Sequence, residues 1–272
     1  MLKKLVCSLL KNDKFIFAFD DLRYLDLNEE IEDAYDKIFT PQVTQEYLPQ
    51  NRFGFMHYIS IPTLLVCGTS PRQGKFSLQL EIRRRLLERG IKLGQIGTEP
   101  SAFLFGMDDC FHYGYNHSTT LKGHDTIQYI NNSMYDISEC GKEIILSGCQ
   151  SAMLVREENY LFTYPLEQHS YLLGFQPDAI VLCVNMFDDI KFITRTISYL
   201  EGAVECKVIA LVLYPQIYTS PLSGIVLPDA KSESIDETKE RFSKKTGLKV
   251  FILGDFGNME ELVTSVISFF SE

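Results

Sequence analysis

The residues best equipped for chemistry lie in one run, Leu64-Leu65-Val66-Cys67-Gly68-Thr69-Ser70-Pro71-Arg72-Gln73-Gly74-Lys75-Phe76-Ser77. It reads as an apolar strand feeding a glycine-bounded loop that opens a helix. Glycines let the backbone turn its N–H groups toward one point, the helix N-terminus adds the positive end of a dipole, and a lysine at the helix start contributes a full charge. Together these features cradle phosphate oxygens. Gly68, Gly74 and Lys75 supply them, with Thr69, Ser70, Arg72 and Gln73 forming the wall between. The pattern departs from the usual G-x-x-x-x-G-K-[ST] in two ways. Its glycines stand one residue further apart, and Phe76 takes the place of the hydroxyl that binds Mg²⁺, so that Ser77 serves instead if the helix begins one residue later. The loop is expected to hold a nucleoside triphosphate, ATP with Mg²⁺, with Lys75 acting on the terminal phosphates. A surface turn with an incidental Gly-Lys is the plainer alternative.

Other side chains acquire meaning from where they fall relative to this loop. Glu99 closely follows an apolar run at 92–96, and the carboxyl ends of parallel strands line the crevice beside such a loop. A carboxylate there holds a metal-bound water or takes a proton from an attacking group, which makes Glu99 a catalytic candidate beside Lys75. Just before Pro100 it equally suits a helix start. Asp108 and Asp109, after Gly106, suit either a switch-like loop near the terminal phosphate or an exposed turn. His112 and His117 join those aspartates in offering the ligand types of a Zn²⁺ or Fe²⁺ site, but no standard metal spacing relates them. Their aromatic, glycine-punctuated surroundings suit a loop over a crevice as well. Gln150 and Ser151 follow a third apolar run, where they either orient water or substrate or form a polar turn. Arg72 reads as a phosphate ligand of its own or a neighbouring subunit, the second case requiring a homo-oligomer, or as a solvent-facing side chain. Arg83-Arg84-Arg85 fall on one helix, where consecutive residues point in different directions, so they make no nucleic-acid patch.

These positions need a frame. From residue 61 onward, short β-branched apolar runs alternate with longer helical patterns, the signature of βαβ units and a parallel sheet. Strands are expected at 63–67, 92–96, 143–146, 179–184, 207–213 and 249–253. Helices are expected at 75–89, 125–140, 188–201, 233–245 and 259–270, each with apolar residues at three- and four-residue spacing. Gly90, Gly141, Gly202 and Gly247 stand where helix stop signals belong. The expected fold is thus α/β, a mostly parallel sheet with helices on both faces over 61–272. Residues 1–60 form a small N-terminal appendage or partial domain, with a strand at 15–19 and a helix at 28–37.

Composition narrows the function classes. With 272 residues, 45% of them apolar, the chain can bury one large core with a smaller appendage. A formal charge of -10, from 26 basic and 36 acidic side chains, argues against duplex nucleic acid, whose binding rests on neutralising phosphates. Seven cysteines without a CxxC pair, several inside apolar runs, suggest a reducing cytoplasm. The apolar opening stops at Lys11-Asn12-Asp13-Lys14 with no small-residue cleavage site, and no apolar run reaches about 18 residues, so neither a signal peptide nor a membrane span is expected.

The longer spacing in Gly68-Thr69-Ser70-Pro71-Arg72-Gln73-Gly74-Lys75 resembles the phosphate loop of the dethiobiotin-synthetase-like branch of P-loop proteins. Further motifs follow in order: Gln95-Ile96-Gly97-Thr98-Glu99-Pro100-Ser101, Gly106-Met107-Asp108-Asp109, Gly148-Cys149-Gln150-Ser151 and Gly174-Phe175-Gln176-Pro177-Asp178-Ala179. They resemble P-loop proteins of clostridial natural-product peptide maturation systems, over roughly residues 64 to 215. The resemblance implies an ATPase or ATP-dependent enzyme whose partner is a peptide or a peptide-modifying enzyme. Two other classes stay open: a nucleotide-binding scaffold or switch with little hydrolysis, and a small-molecule carboxylate ligase or kinase. Related domains often carry an acidic residue at the end of the third strand, where this chain has Ser147-Gly148, and that departure bears on how Mg²⁺ is anchored.

Overall fold

The computed structural model describes residues 1–48, 54–113, 119–156, 158–215 and 234–271. In chain order the regular elements are α1 (Leu2–Lys11), β1 (Ile16–Phe17), β2 (Ile38–Phe39), β3 (Thr63–Gly68), α2 (Lys75–Glu88), β4 (Leu93–Gly97), β5 (Asp109–Cys110) and α3 (His124–Glu139). They continue with β6 (Ile144–Gly148), α4 (Leu166–Phe175), β7 (Ala179–Asn185), α5 (Ile190–Ala203), β8 (Lys207–Tyr214), α6 (Ile235–Thr246), β9 (Lys249–Ile252) and α7 (Phe256–Ser271).

Seven strands form one parallel sheet in the order β5-β4-β6-β3-β7-β8-β9. Continuous apolar runs such as Leu64-Leu65-Val66-Cys67 form strands here because both faces are covered, and every residue of β3 is buried. On one face, Leu78, Ile82 and Leu86 of α2 pack with Met259, Leu262 and Val266 of α7. On the other face lie Ile130 and Met134 of α3, Tyr171 and Phe175 of α4, Ile193 and Leu200 of α5, and Phe242 of α6. The expected α/β sheet with helices on both faces is therefore present. β3 is its central strand, flanked by β6 and β7, so the ends of both neighbours border the loop that leaves it.

Several local expectations are corrected. Further elements occur, α1, β2, β5 and α4, of which the last hides from periodicity because its apolar residues are spread around the helix instead of forming one stripe. Gly174 lets α4 lie tightly on α3, since a Cβ there would meet the Ile127 carbonyl oxygen at 2.9 Å. Gly202 lies inside α5 and does not end it, whereas Gly90, Gly141 and Gly247 follow helices with φ of +80°, +71° and +75°. The helix expected at 28–37 is replaced by 3₁₀ turns at Leu27–Glu29 and Ala34–Lys37. Asp26 and Asp33, at φ 47° and 53°, interrupt the right-handed path. The strand expected at 15–19 shrinks to β1, which pairs in parallel with β2.

The first forty residues gather a small apolar cluster of their own around Val6, Leu10, Leu22 and Leu27. The chain after them joins the larger core through Val43, and the His57 amide donates to Asn131 of α3 at 2.6 Å. Among the described residues, no helix is long and apolar enough to cross a membrane.

Candidate phosphate-binding site

Between β3 and α2 the backbone turns back on itself with Arg72 at φ 58° and Gly74 at φ 69°. Left-handed residues at this spacing help turn successive N–H groups toward a common concavity. Gly74 is required for space as well as conformation, because a Cβ would meet Leu253 Cδ2 at 2.4 Å. Lys75, first residue of α2, is 6% exposed and folds back over the loop, donating from Nζ to the Ser70 carbonyl oxygen at 2.8 Å. Gly68 makes room for it: a Cβ there would stand 3.2 Å from Nζ. Burial lowers the Lys75 pKa below the ordinary lysine range, while the thiols of Cys183, Cys149 and Cys67 and the Glu99 carboxylate pull the other way. An ammonium has three donors, and Ser70 takes one. A buried cation with donors to spare is the chemistry of an anion site.

Thr69, Ser70 and Gln73 are buried and bonded to one another. The Ser70 amide donates to Gln73 Oε1 at 3.0 Å, and Gln73 Nε2 donates to Thr69 Oγ1 at 2.7 Å and to Asp188 Oδ2 at 3.3 Å. Asp188, just beyond β7, also accepts from the Thr69 hydroxyl, from the Asn185 amide at 3.0 Å and from Arg156. Asn185 Nδ2 reaches Ser70 Oγ at 3.2 Å. Arg156 lies 4.8 Å over the Phe192 ring. This polar net, which ties the loop to the end of β7, was not expected from sequence. The usable signal is the position of Asn185 and Asp188 at the carboxyl end of a strand beside β3.

A divalent ion would be less well provided for. Phe76 meets the Phe105 ring at 5.2 Å and packs on Ala102, Met107 and Cys110, so its place at the helix start is apolar. Ser77 lies exposed on the next position. At the end of β6, Ser147 donates to the Ile96 carbonyl oxygen at 2.7 Å and bonds the Tyr171 hydroxyl at 2.6 Å. At Gly148 a Cβ would meet Gln79 Nε2 at 2.1 Å, so a side chain there requires the Gln79 amide to move. Among the described residues the loop thus has groups that fit phosphate oxygens, while the candidate oxygens for a metal are the exposed Ser77 hydroxyl, Glu99 at one remove, and the Asp188 carboxylate, which is already bonded to Thr69, Gln73, Asn185 and Arg156. Glu99 stands half-buried before the turn Pro100–Phe105, and its side chain makes no capping bond there.

The other candidates are accounted for nearby. Gln150 donates to the Thr98 carbonyl oxygen at 2.5 Å, and Ser151 accepts from Gln168 at 2.7 Å, so both link the ends of β4, β6 and α4. Asp108 holds the Gln95 amide at 2.8 Å and Lys142 at 2.6 Å, and Asp109 accepts from Ser133 and from Tyr129 at 3.2 Å. Asp108 lies exposed in the bend that follows Gly106, as the turn reading expects, and Asp109 is half-buried in β5; both fasten β5 and its approach to the sheet. Among the described residues no three His, Cys, Asp or Glu side chains gather as a metal site. His112 is buried beside Cys110, and His117 lies outside the described residues. Arg72 is exposed. Arg83, Arg84 and Arg85 diverge as expected, to the Gly106 carbonyl oxygen at 2.6 Å, to Glu88 at 3.0 Å and to Glu260 at 2.7 Å. Beneath Lys75, Cys67 and Cys149 approach with sulfurs 3.6 Å apart, and burial pushes the Cys67 thiol well above its usual range and the Cys183 thiol up to about 12.

Residues 54–262 match the family described as "Domain of unknown function (DUF1611_C) P-loop domain". The chain is similar in fold to a DUF1611 family protein from Anabaena variabilis, with a TM-score of 0.65 and 14% identity over 98% of this chain and 74% of that one. Weaker likenesses include a nucleotide-binding protein from Archaeoglobus fulgidus in complex with ADP (TM-score 0.42, 12% identity, 74% and 84% covered). Signal recognition particle 54 kDa protein from Aeropyrum pernix in complex with GDP is another (TM-score 0.42, 11% identity, 98% and 58% covered). No curated protein matches the chain in sequence.

Proposed function

This chain belongs to the DUF1611 P-loop domain family, and on that premise we propose that it binds a nucleoside triphosphate, ATP with Mg²⁺, on the loop spanning residues 68–77. The observation that carries the reading is Lys75: a buried ammonium, folded over a glycine-bounded loop at a helix N-terminus, with one described acceptor. The loop amides and Lys75 hold the phosphates and oppose charge that develops in phosphoryl transfer. When bound, the metal would supply further neutralisation of that charge, with Ser77 as its protein ligand and Glu99 positioned to accept a proton or hold a water.

The likeness of the motifs at 95–101, 106–109, 148–151 and 174–179 to peptide maturation proteins supports an ATPase or ATP-dependent enzyme working with a peptide or a peptide-modifying enzyme. Its seven free thiols suit a reducing cytoplasm. A second reading, a nucleotide-binding scaffold or switch with little hydrolysis, is favoured by Phe76 packed on Phe105 and by the Gln79 amide crowding Gly148. Turnover measured with Mg²⁺-ATP separates the two. A carboxylate ligase or kinase rests on the dethiobiotin-synthetase likeness alone.

Thermal melts with ATP, GTP, ADP and GDP, each with and without Mg²⁺, test binding itself. A ligand at 100 times its dissociation constant adds about 2.7 kcal/mol of apparent stability. No shift with any nucleotide at millimolar concentration defeats the reading.

A further inference from the structure

A phosphate loop binds through N–H groups left free to meet the ligand, and here one of them is already taken. The Ser70 amide donates to Gln73 Oε1 at 3.0 Å within the loop itself. That oxygen crowds Gly68 beside the Lys75 ammonium: a Cβ on Gly68 would lie 2.7 Å from Gln73 Oε1 and 3.2 Å from Lys75 Nζ. A side-chain oxygen that accepts a loop N–H next to the loop's buried cation stands in the relation that a phosphate oxygen would take. Its orientation is fixed by chemistry, because the other end of the amide faces the Asp188 carboxylate, which only accepts, and so must present its NH₂ there. Asp188 is in turn held by Arg156, Thr69 and the Asn185 amide. Gln73 is therefore anchored in place, and at 2% exposure it is not a loose surface side chain.

We infer that Gln73 is an internal ligand of the phosphate loop that competes with nucleotide and sets its affinity; this rests on the reading of residues 68–77 as a nucleotide site. The amide oxygen is neutral, so a polyphosphate beside Lys75 displaces it through its greater charge. Binding then requires the Gln73 side chain to swing off the Ser70 amide. Asp188 keeps three partners after that motion, so the loop's tie to β7 survives.

Gln73→Ala and Gln73→Met both remove the competing oxygen, and the second preserves the side chain's length. Isothermal titration with ATP and with GTP is expected to show binding about three- to tenfold tighter than wild type, the range of one displaced hydrogen bond. Stopped-flow association of a fluorescent adenine nucleotide should be faster in both variants, a change that mere loss of structural support does not produce. The wild-type chain offers a readout free of any folding defect: the Gln73 side-chain NH₂ resonances should be dispersed without ligand and move toward averaged positions on saturation. If wild type binds and both variants bind equally or more weakly, or if the NH₂ resonances stay fixed on saturation, Gln73 is a prop and the inference falls while the nucleotide site stands. If neither wild type nor variants bind, the site reading itself fails. Variants that bind where wild type does not support the inference in its strongest form.

Discussion

Two strand ends that lie side by side in the sheet have been treated very differently by this sequence. β3 and β6 pair with Leu64 opposite Leu146 and Val66 opposite Gly148, so the loop after β3 and the turn after β6 leave the same edge of the sheet side by side. The first keeps both bounding glycines and a buried lysine. The second ends in Ser147, consumed by Ile96 and Tyr171, and in Gly148, pressed beneath Gln79. The two strand ends thus differ: the loop after β3 carries the features proposed to hold phosphate, and the end of β6 offers no carboxylate. Grip on a phosphate and turnover of it should therefore respond to different substitutions.

The largest effect should come from the loop after β3. Lys75→Ala retains a good helix former and removes a charge-assisted contact, so nucleotide affinity should fall about ten- to a hundredfold, roughly 1.5 to 3 kcal/mol. Titration of both forms measures it, and unchanged affinity would sink the phosphate-loop assignment. The same substitution has a pH signature. Burial holds the Lys75 pKa below 10.5, so in that window the unfolded chain binds more protons than the folded one. Wild-type apo stability should therefore rise as pH climbs from the folded-state pKa toward 10.5, and this rise should vanish in Lys75→Ala.

At the end of β6, Gly148→Ala should destabilise the fold by about 1–3 kcal/mol, the usual cost of forcing a methyl into filled space. Gln79→Ala vacates that space, so the double variant should recover most of the loss. Denaturant melts of the four proteins give the coupling directly. Strict additivity would show that Gln79 is not what fills the position.

How much of this was written in the sequence depends on the range of the interaction. Gly68, Gly74 and Lys75 are legible because strand, turn and helix are local, and each residue's duty follows from its neighbours. The sheet is legible because apolar runs buried on both faces look alike wherever they occur. Asp188 is not legible: it meets Thr69 across 119 positions of chain, and alone it looks like one more acid at a helix start. Nor is Phe76 explained locally, since its reason for being apolar is Phe105 on the turn after β4. The 3₁₀ turns at 27–29 and 34–37 escape periodicity because aspartates in a left-handed conformation leave no trace in an apolar pattern.

A smaller effect tests what remains of metal binding. Ser77 is the next residue after Phe76 and carries a hydroxyl. Ser77→Ala should weaken nucleotide binding about two- to tenfold, the value of one hydrogen-bonding group, and only with Mg²⁺ present. Paired titrations with Mg²⁺ and with a chelator decide it. Equal loss in both would instead indicate damage to the first turn of α2.

The smallest effect is expected at Arg72, and it sharpens the contrast between the loop's two cations. Lys75 is buried against the loop, where low dielectric strengthens its attraction to an anion, whereas Arg72 is exposed on the crest of the same loop at φ 58°. A charge in water is screened within about 8 Å at physiological ionic strength, so its pull on a phosphate is weak and sensitive to salt. Arg72→Ala should accordingly change nucleotide affinity by less than about twofold, within the roughly 0.5 kcal/mol typical of surface substitutions, and the difference should disappear at high ionic strength. Titrations of wild type and variant at low and high salt measure both quantities. A loss as large as that of Lys75→Ala, persisting in high salt, would mean that the guanidinium is drawn out of water onto the ligand, and that the loop closes over its nucleotide with Arg72 as a second phosphate clamp.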